Sequence, residues 1–152
     1  MALENDELAR LLRLVDGSGS DSEYEAIKKL ESSTDALPLL LYKKYQTAKS
    51  AKERGACVHH STKFSKKDRI ALELGIDGLS DRSKHVRHLA CLLLAWSVQK
   101  DALPVLRRYE SIYANDDETL GDIRAAIDSI EHENSNYFVD RDHSGMVTLR
   151  IH

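Results

Sequence analysis

The segment Asp35-Ala36-Leu37-Pro38-Leu39-Leu40 returns 66 residues later as Asp101-Ala102-Leu103-Pro104-Val105-Leu106. Halfway between them stands Asp68-Arg69-Ile70-Ala71-Leu72-Glu73, with the acid and the apolar positions kept: Leu37, Ile70, Leu103, then Leu39, Leu72, Val105. A second series obeys the same 33-residue step, pairing Ser50 with Ser83, Arg54 with Arg87 and Cys57 with Ala90. Two series at one period define a repeat. A unit of this length cannot bury its apolar face alone, so the chain must stack its units into a continuous core.

Each unit reads as two helices. In the first, an acid near the start caps the helix or favours its dipole, and Pro38 or Pro104 fits the first turn, where no N–H partner is lost. Apolar residues then follow at helical spacing, as in Leu103, Leu106, Tyr109, Ile112 and Tyr113. In the second, Ser83 caps a helix through Val86, Leu89, Ala90, Leu93, Leu94 and Ser97. That helix is apolar over more than half its circumference, which demands cover on two sides.

The flanks behave differently. Leu3–Val15 predicts an amphipathic helix through Leu8, Leu11, Leu12 and Val15. Gly17-Ser18-Gly19-Ser20 predicts a loop, and Ser22–Leu30 a second helix with Tyr24, Ile27 and Leu30 inward. Residues 1–34 would thus cap a solenoid of three units spanning 35–133, all in one domain. Past Glu133 the period changes to 2, with Tyr137, Phe138, Val139 before a polar turn and Val147, Leu149, Ile151 after it. Residues 134–152 are therefore expected to form a β-hairpin turning at Ser144-Gly145. The fold class expected is all-α, an α-solenoid of stacked helix pairs ending in that hairpin.

Charge is unevenly spread. The net is −3, yet residues 1–35 sum to −5, residues 43–69 to +7 and residues 110–142 to −8. Such polarity favours steering of a charged partner. The acidic N-terminus is unlike a secretory signal, and the longest apolar run, Leu89–Trp96, is too short to span a bilayer. Two cysteines make no disulfide framework, so a reducing cytoplasm is the expected compartment.

Candidate chemical sites are few. Asp140-Arg141-Asp142-His143-Ser144-Gly145 matches the first half of an EF-hand loop, but the position due a bidentate Glu is Ile151. A turn held by side-chain hydrogen bonds is the better reading. His59-His60 and the pair His85/His88, one turn apart, suggest a binding face more than a metal site. Cys57, Cys91 and Trp96 read as core. No phosphate loop, serine elbow or metalloprotease helix is present, so no enzyme, cofactor or metal is expected.

The stretch Asp81-Arg82-Ser83-Lys84-His85-Val86-Arg87-His88-Leu89-Ala90 resembles the HEAT-repeat pattern of Asp, Val-Arg and Ala. The resemblance implies that Asp81 and Arg87 bridge neighbouring units and that Ala90 admits a close helix approach. The period is shorter than in most HEAT units, Glu53 stands where Val86 would be matched, and the fourth unit is shifted to place Ile123-Arg124.

With its Phe138–Gly145 ending, the whole layout resembles small bacterial HEAT-like immunity proteins of toxin/immunity systems, such as those of contact-dependent growth inhibition. That resemblance implies a non-catalytic protein binder whose partner is a cognate toxin domain, often a nuclease with a basic cleft. An acidic surface can block such a cleft by imitating phosphate charge. Asp116, Asp117, Glu118, Asp122 and Asp128 are the expected contacts. The alternatives are a HEAT-like scaffold or adaptor in a host complex, a HEAT-like DNA glycosylase using the basic segment 43–69, and a pigment-binding relative of the phycobilin lyases. The overall acidity and the short solenoid count against nucleic acid.

Overall fold

The structure, a computed structural model, describes residues 4–152. Eight α-helices run in order: α1 (Asn5–Leu14), α2 (Asp21–Ser33), α3 (Leu37–Thr47), α4 (Ala51–Ser61), α5 (Arg69–Gly78), α6 (Lys84–Ser97), α7 (Leu103–Ile112) and α8 (Asp117–Glu131). They associate as successive pairs, α1 with α2, α3 with α4, α5 with α6 and α7 with α8. The second helices α4, α6 and α8 pack side by side in one layer, and α3 packs against α5. The result is an all-α, solenoid-like stack. The stretch read as helix from Leu3 is helical from Asn5 to Leu14; its first residue lies outside the described part.

Local chemistry explains where the second helices begin. Ser50 accepts a hydrogen bond from Glu53 N, Ser83 from Val86 N and Asp116 from Thr119 N. Each cap satisfies a backbone donor left over at a helix start, a contribution of about 1 kcal/mol where the cap is a shielded hydroxyl. The three caps are spaced at one 33-residue step throughout, so the period continues into the fourth unit without the shift suggested by Ile123-Arg124. The first helices differ from expectation. Asp68 caps α5 through Ile70 N and Ala71 N, but α3 and α7 start after Ala36 and Ala102 with no side-chain cap, and proline in the first turn does the work.

The core runs the length of the stack, through Leu11, Leu30, Leu41, Leu74, Leu94 and Ile130, all essentially inaccessible. Small residues set its tightest contact. A Cβ built on Gly78 at the end of α5 would lie 2.8 Å from Ala90 Cβ, so α5 and α6 approach at a distance only glycine permits. Ala90 is the residue that this glycine faces across the contact. Among the described residues, no buried side-chain nitrogen or oxygen lacks a hydrogen-bond partner.

The expected C-terminal β-hairpin is not formed: no strand exists among the described residues. Ser135–Phe138 is a 3-10 turn packed on α8 and α6, and it delivers Phe138 into the core at 1 % exposure. The backbone donors a hairpin would pair across strands go to side chains instead. Ser144 N and Gly145 N donate to Asp140, and Leu149 N donates to Asn136 Oδ1. A lone two-stranded hairpin is marginal in water. Burying Phe138 and stacking Tyr137 on His143, at 3.7 Å between ring centres, overrides the alternating pattern. Of the second half of that pattern, Val147 is 45 % exposed while Leu149 and Ile151 are half-buried, so the three share no buried strand face.

Candidate partner-binding face

Behind the layer of second helices lies a charged ladder. Arg54, four residues after its cap, forms a two-bond fork with Asp81: Nε to Oδ2 at 2.9 Å and Nη2 to Oδ1 at 3.2 Å. Tyr45 Oη donates to the same carboxylate. Burial works to raise the Asp81 carboxyl, but Arg54, the Ser83 amide and Tyr45 outweigh it and hold it below the ordinary range. Arg87, also four residues after its cap, donates to the Asp81 carbonyl, to Thr119 and to Asp116. Asp81 and Arg87 therefore do bridge units, one backwards and one forwards. The next position in the series is Leu120, and the ladder stops where the stack stops.

This ladder absorbs Asp116. It caps α8 and receives Arg87 at 3.2 Å, and the Thr119 amide leads the contacts that lower its carboxyl. Asp122 is taken as well, by Arg141 at 2.8 Å and His88 at 2.9 Å. Burial pushes its carboxyl up, and these two partners push it down further. Asp128 accepts from His143 at 2.6 Å and lies 3.0 Å from His132. Of the five acids expected to meet a partner, only Asp117 and Glu118 are exposed without an ion pair among the described residues. A signal for this existed: the 33-residue step from Ser50 and Ser83 lands on Asp116.

The linear charge segments also come apart in space. The basic stretch 43–69 divides between the two ends of α4, with Lys49, Lys52 and Arg54 at its start and Lys63, Lys66, Lys67 and Arg69 beyond its end. Eleven residues of helix separate these groups by about 16 Å. Lys63 pairs with Glu31, Arg69 with Glu73 and Asp101, and Lys66 covers the half-buried Trp96 ring at 4.2 Å. A continuous phosphate track is not what they make.

What the second helices present instead is a row at equivalent positions. Two residues after each cap stand Lys52, His85 and Glu118, an ammonium, an imidazole and a carboxylate on adjacent helices, all exposed. Helix spacing in such layers is about 8–10 Å. The face is therefore bipolar, basic toward α4 and acidic toward α8. Sequence reading missed this because it took the fourth unit as shifted, so the 33-residue series was not carried on to Asp116 and Glu118.

At the basic end a cleft of about 180 Å³ opens between the α1–α2 loop, α4 and α6. Beneath it, Glu23 and His60 form a buried pair at 2.6 Å, each side chain 3 % exposed. Burial lowers the His60 imidazole despite Glu23, and burial with neighbouring His60 lowers His59. His60 thus serves the attachment of α2 to α4, while His59, His85 and His88 reach the surface. Among the described residues, no three His, Cys, Asp or Glu converge as a metal would need.

Cys57 and Cys91 are both fully buried. Burial pushes the Cys57 thiol up to about 12 and Cys91 higher still, which keeps both protonated and unreactive. No helix is long and apolar enough to cross a membrane among the described residues. No protein-family model, curated protein or solved structure matches the chain.

Proposed function

We propose that this chain is a non-catalytic protein-binding module of the HEAT-like class, a cytoplasmic immunity protein that holds and neutralises a toxin domain. The observation that carries the binding role is the outward row Lys52–His85–Glu118, backed by the Arg54–Asp81 and Arg87–Asp116 ladder. The ladder ties the helices together, so the exposed charges are held at set spacings before any partner arrives. Preorganisation of this kind lowers the cost of association. The toxin as partner rests on the resemblance of the Phe138–Gly145 ending to small bacterial immunity proteins. In this reading Asp117 and Glu118 meet a basic surface, while Asp116, Asp122 and Asp128 support the edge from within.

The test is retention of partners on the tagged protein from its source cells at low salt, followed by a toxicity assay of any retained protein with and without this chain. One stoichiometric partner that is toxic alone and harmless with this chain supports the reading. Substitution of Asp117 and Glu118 by Lys should then weaken the complex by about tenfold or more. Retention of a housekeeping assembly with no toxic member would overturn immunity in favour of an adaptor.

A further inference from the structure

Residues 146–152 have no regular structure, yet one side of the segment is covered. Leu149 and Ile151 are half-buried, while Thr148, Arg150 and His152 are exposed. Leu149 N donates to Asn136 Oδ1 at 2.9 Å, and Asn136 belongs to the 3-10 turn packed on α8 and α6. At the other end, His152 is close enough to His59 of α4 for the two rings to oppose each other's charge. Three extended residues reach about 10 Å, and neighbouring helices lie about 8–10 Å apart. The segment therefore crosses α6, from the α8 side to α4.

The ground it crosses is the outward face of the second helices. His59 stands seven residues after Lys52 on α4, and Leu92 seven after His85 on α6. Two helical turns return a residue to the same side about 10 Å further along. Leu89 and Leu92 are half-buried there, packed on the core beneath. The segment thus lies beside the row Lys52–His85–Glu118, inside the footprint of about 20–30 residues that a protein interface covers on each side.

Its attachment is slight. The loop before it is fixed by Arg141 on Asp122, His143 on Asp128 and three hydrogen bonds to Asp140. Past Gly145, among the described residues, only the Leu149 amide bonds beyond the segment's own loop. Gly145 itself has φ +77° and open space around it, so the joint keeps glycine's wide choice of backbone angles.

We propose that residues 146–152 are a displaceable strap over the binding face, and that the partner docks by laying an extended segment of its own, apolar at alternate positions, where the strap now lies. The strap is the template for that occupant. Leu149 and Ile151 turn inward, Thr148 and Arg150 turn out, and a main-chain N–H meets Asn136 Oδ1. The assignment rests on the protein-binding reading above and adds the form of the partner's contact. A face covered by its own chain binds only in the open fraction of molecules, so release tightens apparent affinity by the inverse of that fraction.

The experiment uses the full chain carrying L149D and I151D together, which puts two charges where the strap is half-buried. The probe is a blocked peptide of residues 145–152, followed by NMR of the Asn136 side-chain amide and the His59 ring. Saturable movement of both signals is expected at about millimolar peptide or below, the local concentration that a short tether supplies. The parent should respond about tenfold more weakly or less. The peptide with the same two aspartates should do nothing. L149P, which removes the amide donor, should bind the peptide as the double variant does.

No binding to either released variant overturns the proposal, as does equal binding to the parent. Because the probe is the chain's own segment, failure of the immunity reading leaves this result standing. A captured partner should bind the released variants about tenfold more tightly than the parent and give way to the peptide. Equal affinity for parent and variants overturns the docking assignment and leaves immunity intact.

Discussion

Arg54 and Asp81, 27 residues apart in the chain, meet in a buried two-bond fork that joins α4 to the loop leading into α6. Their side chains are 9 % and 5 % exposed. The next step of the ladder reuses the arginine position but changes the acid: Arg87 meets Asp116, which is the cap of α8 itself. One carboxylate there does two jobs that Asp81 and Ser83 share in the preceding unit.

Removing one partner of the fork leaves the other charge buried. R54A is expected to cost about 3 kcal/mol in urea unfolding. R54M with D81L, which removes both charges, should recover much of that loss. A double variant no better than the single one would show that the fork is not the stabilising element.

The Gly78–Ala90 contact predicts strong coupling. G78A forces a Cβ to within 2.8 Å of Ala90 Cβ and should destabilise by about 1–3 kcal/mol. In the A90G background the same change should cost less, with an interaction energy of about 0.5 kcal/mol or more in a double-mutant cycle. Additive effects would mean that α5 and α6 can separate freely.

Acid should loosen the N-terminal pair first. His59 and His60 both have imidazoles lowered by burial from 6.5, so the unfolded chain binds protons that the folded chain does not. Their contribution is complete above about pH 6.5 and is lost as pH falls through their lower folded values. The carboxylates lowered in the fold, Asp81 and Asp122, act in the same direction but below 3.8, a separate window. H60N should flatten the upper part of a stability-against-pH profile. An unchanged slope between pH 6.5 and 5 would exclude His60 as the titrating group.

Asp140 ties the C-terminal loop by accepting Ser144 N, Ser144 Oγ and Gly145 N. The Ser144 side chain leads the contacts that lower its carboxyl. D140A should release residues 141–152 to limited proteolysis while the helical circular dichroism persists. The same inward hydrogen bonds occupy the carboxylate that an EF-hand would give to calcium. Millimolar calcium should leave the melting temperature of the parent unchanged, and a rise on adding it would restore the metal reading.

The three consecutive acids at the start of α8 should separate on charge reversal. D117K and E118K sit on exposed turns and should alter stability by no more than about 0.5 kcal/mol. D116K should lower the unfolding midpoint, because Lys would face Arg87 and lose the α8 cap. Equal tolerance at all three positions would remove Asp116 from the ladder.

Much of this arrangement was legible in the order of residues. The period gave away the helix pairs, the serines at 50 and 83 their starting points, and the two prolines the first turns of α3 and α7. Those are local signals, since a cap or a first-turn proline acts within four residues of itself. The C-terminus was misread by the same kind of signal. Alternation at 137–151 is local, but Phe138 found its burial against α6 and α8, and no neighbouring strand was there to reward the pattern.

Tertiary structure alone decided which charges are free. Asp116, Asp117 and Glu118 are consecutive and chemically alike, yet the first is bound inside the stack and the other two face outward. Lys52, His85 and Glu118 lie far apart in sequence and become one row only when α4, α6 and α8 align. The sequence by itself determined the helices, because caps and apolar periodicity act over a few residues. The stack determined the face, because a charge is committed or free according to what another unit brings within about 4 Å of it.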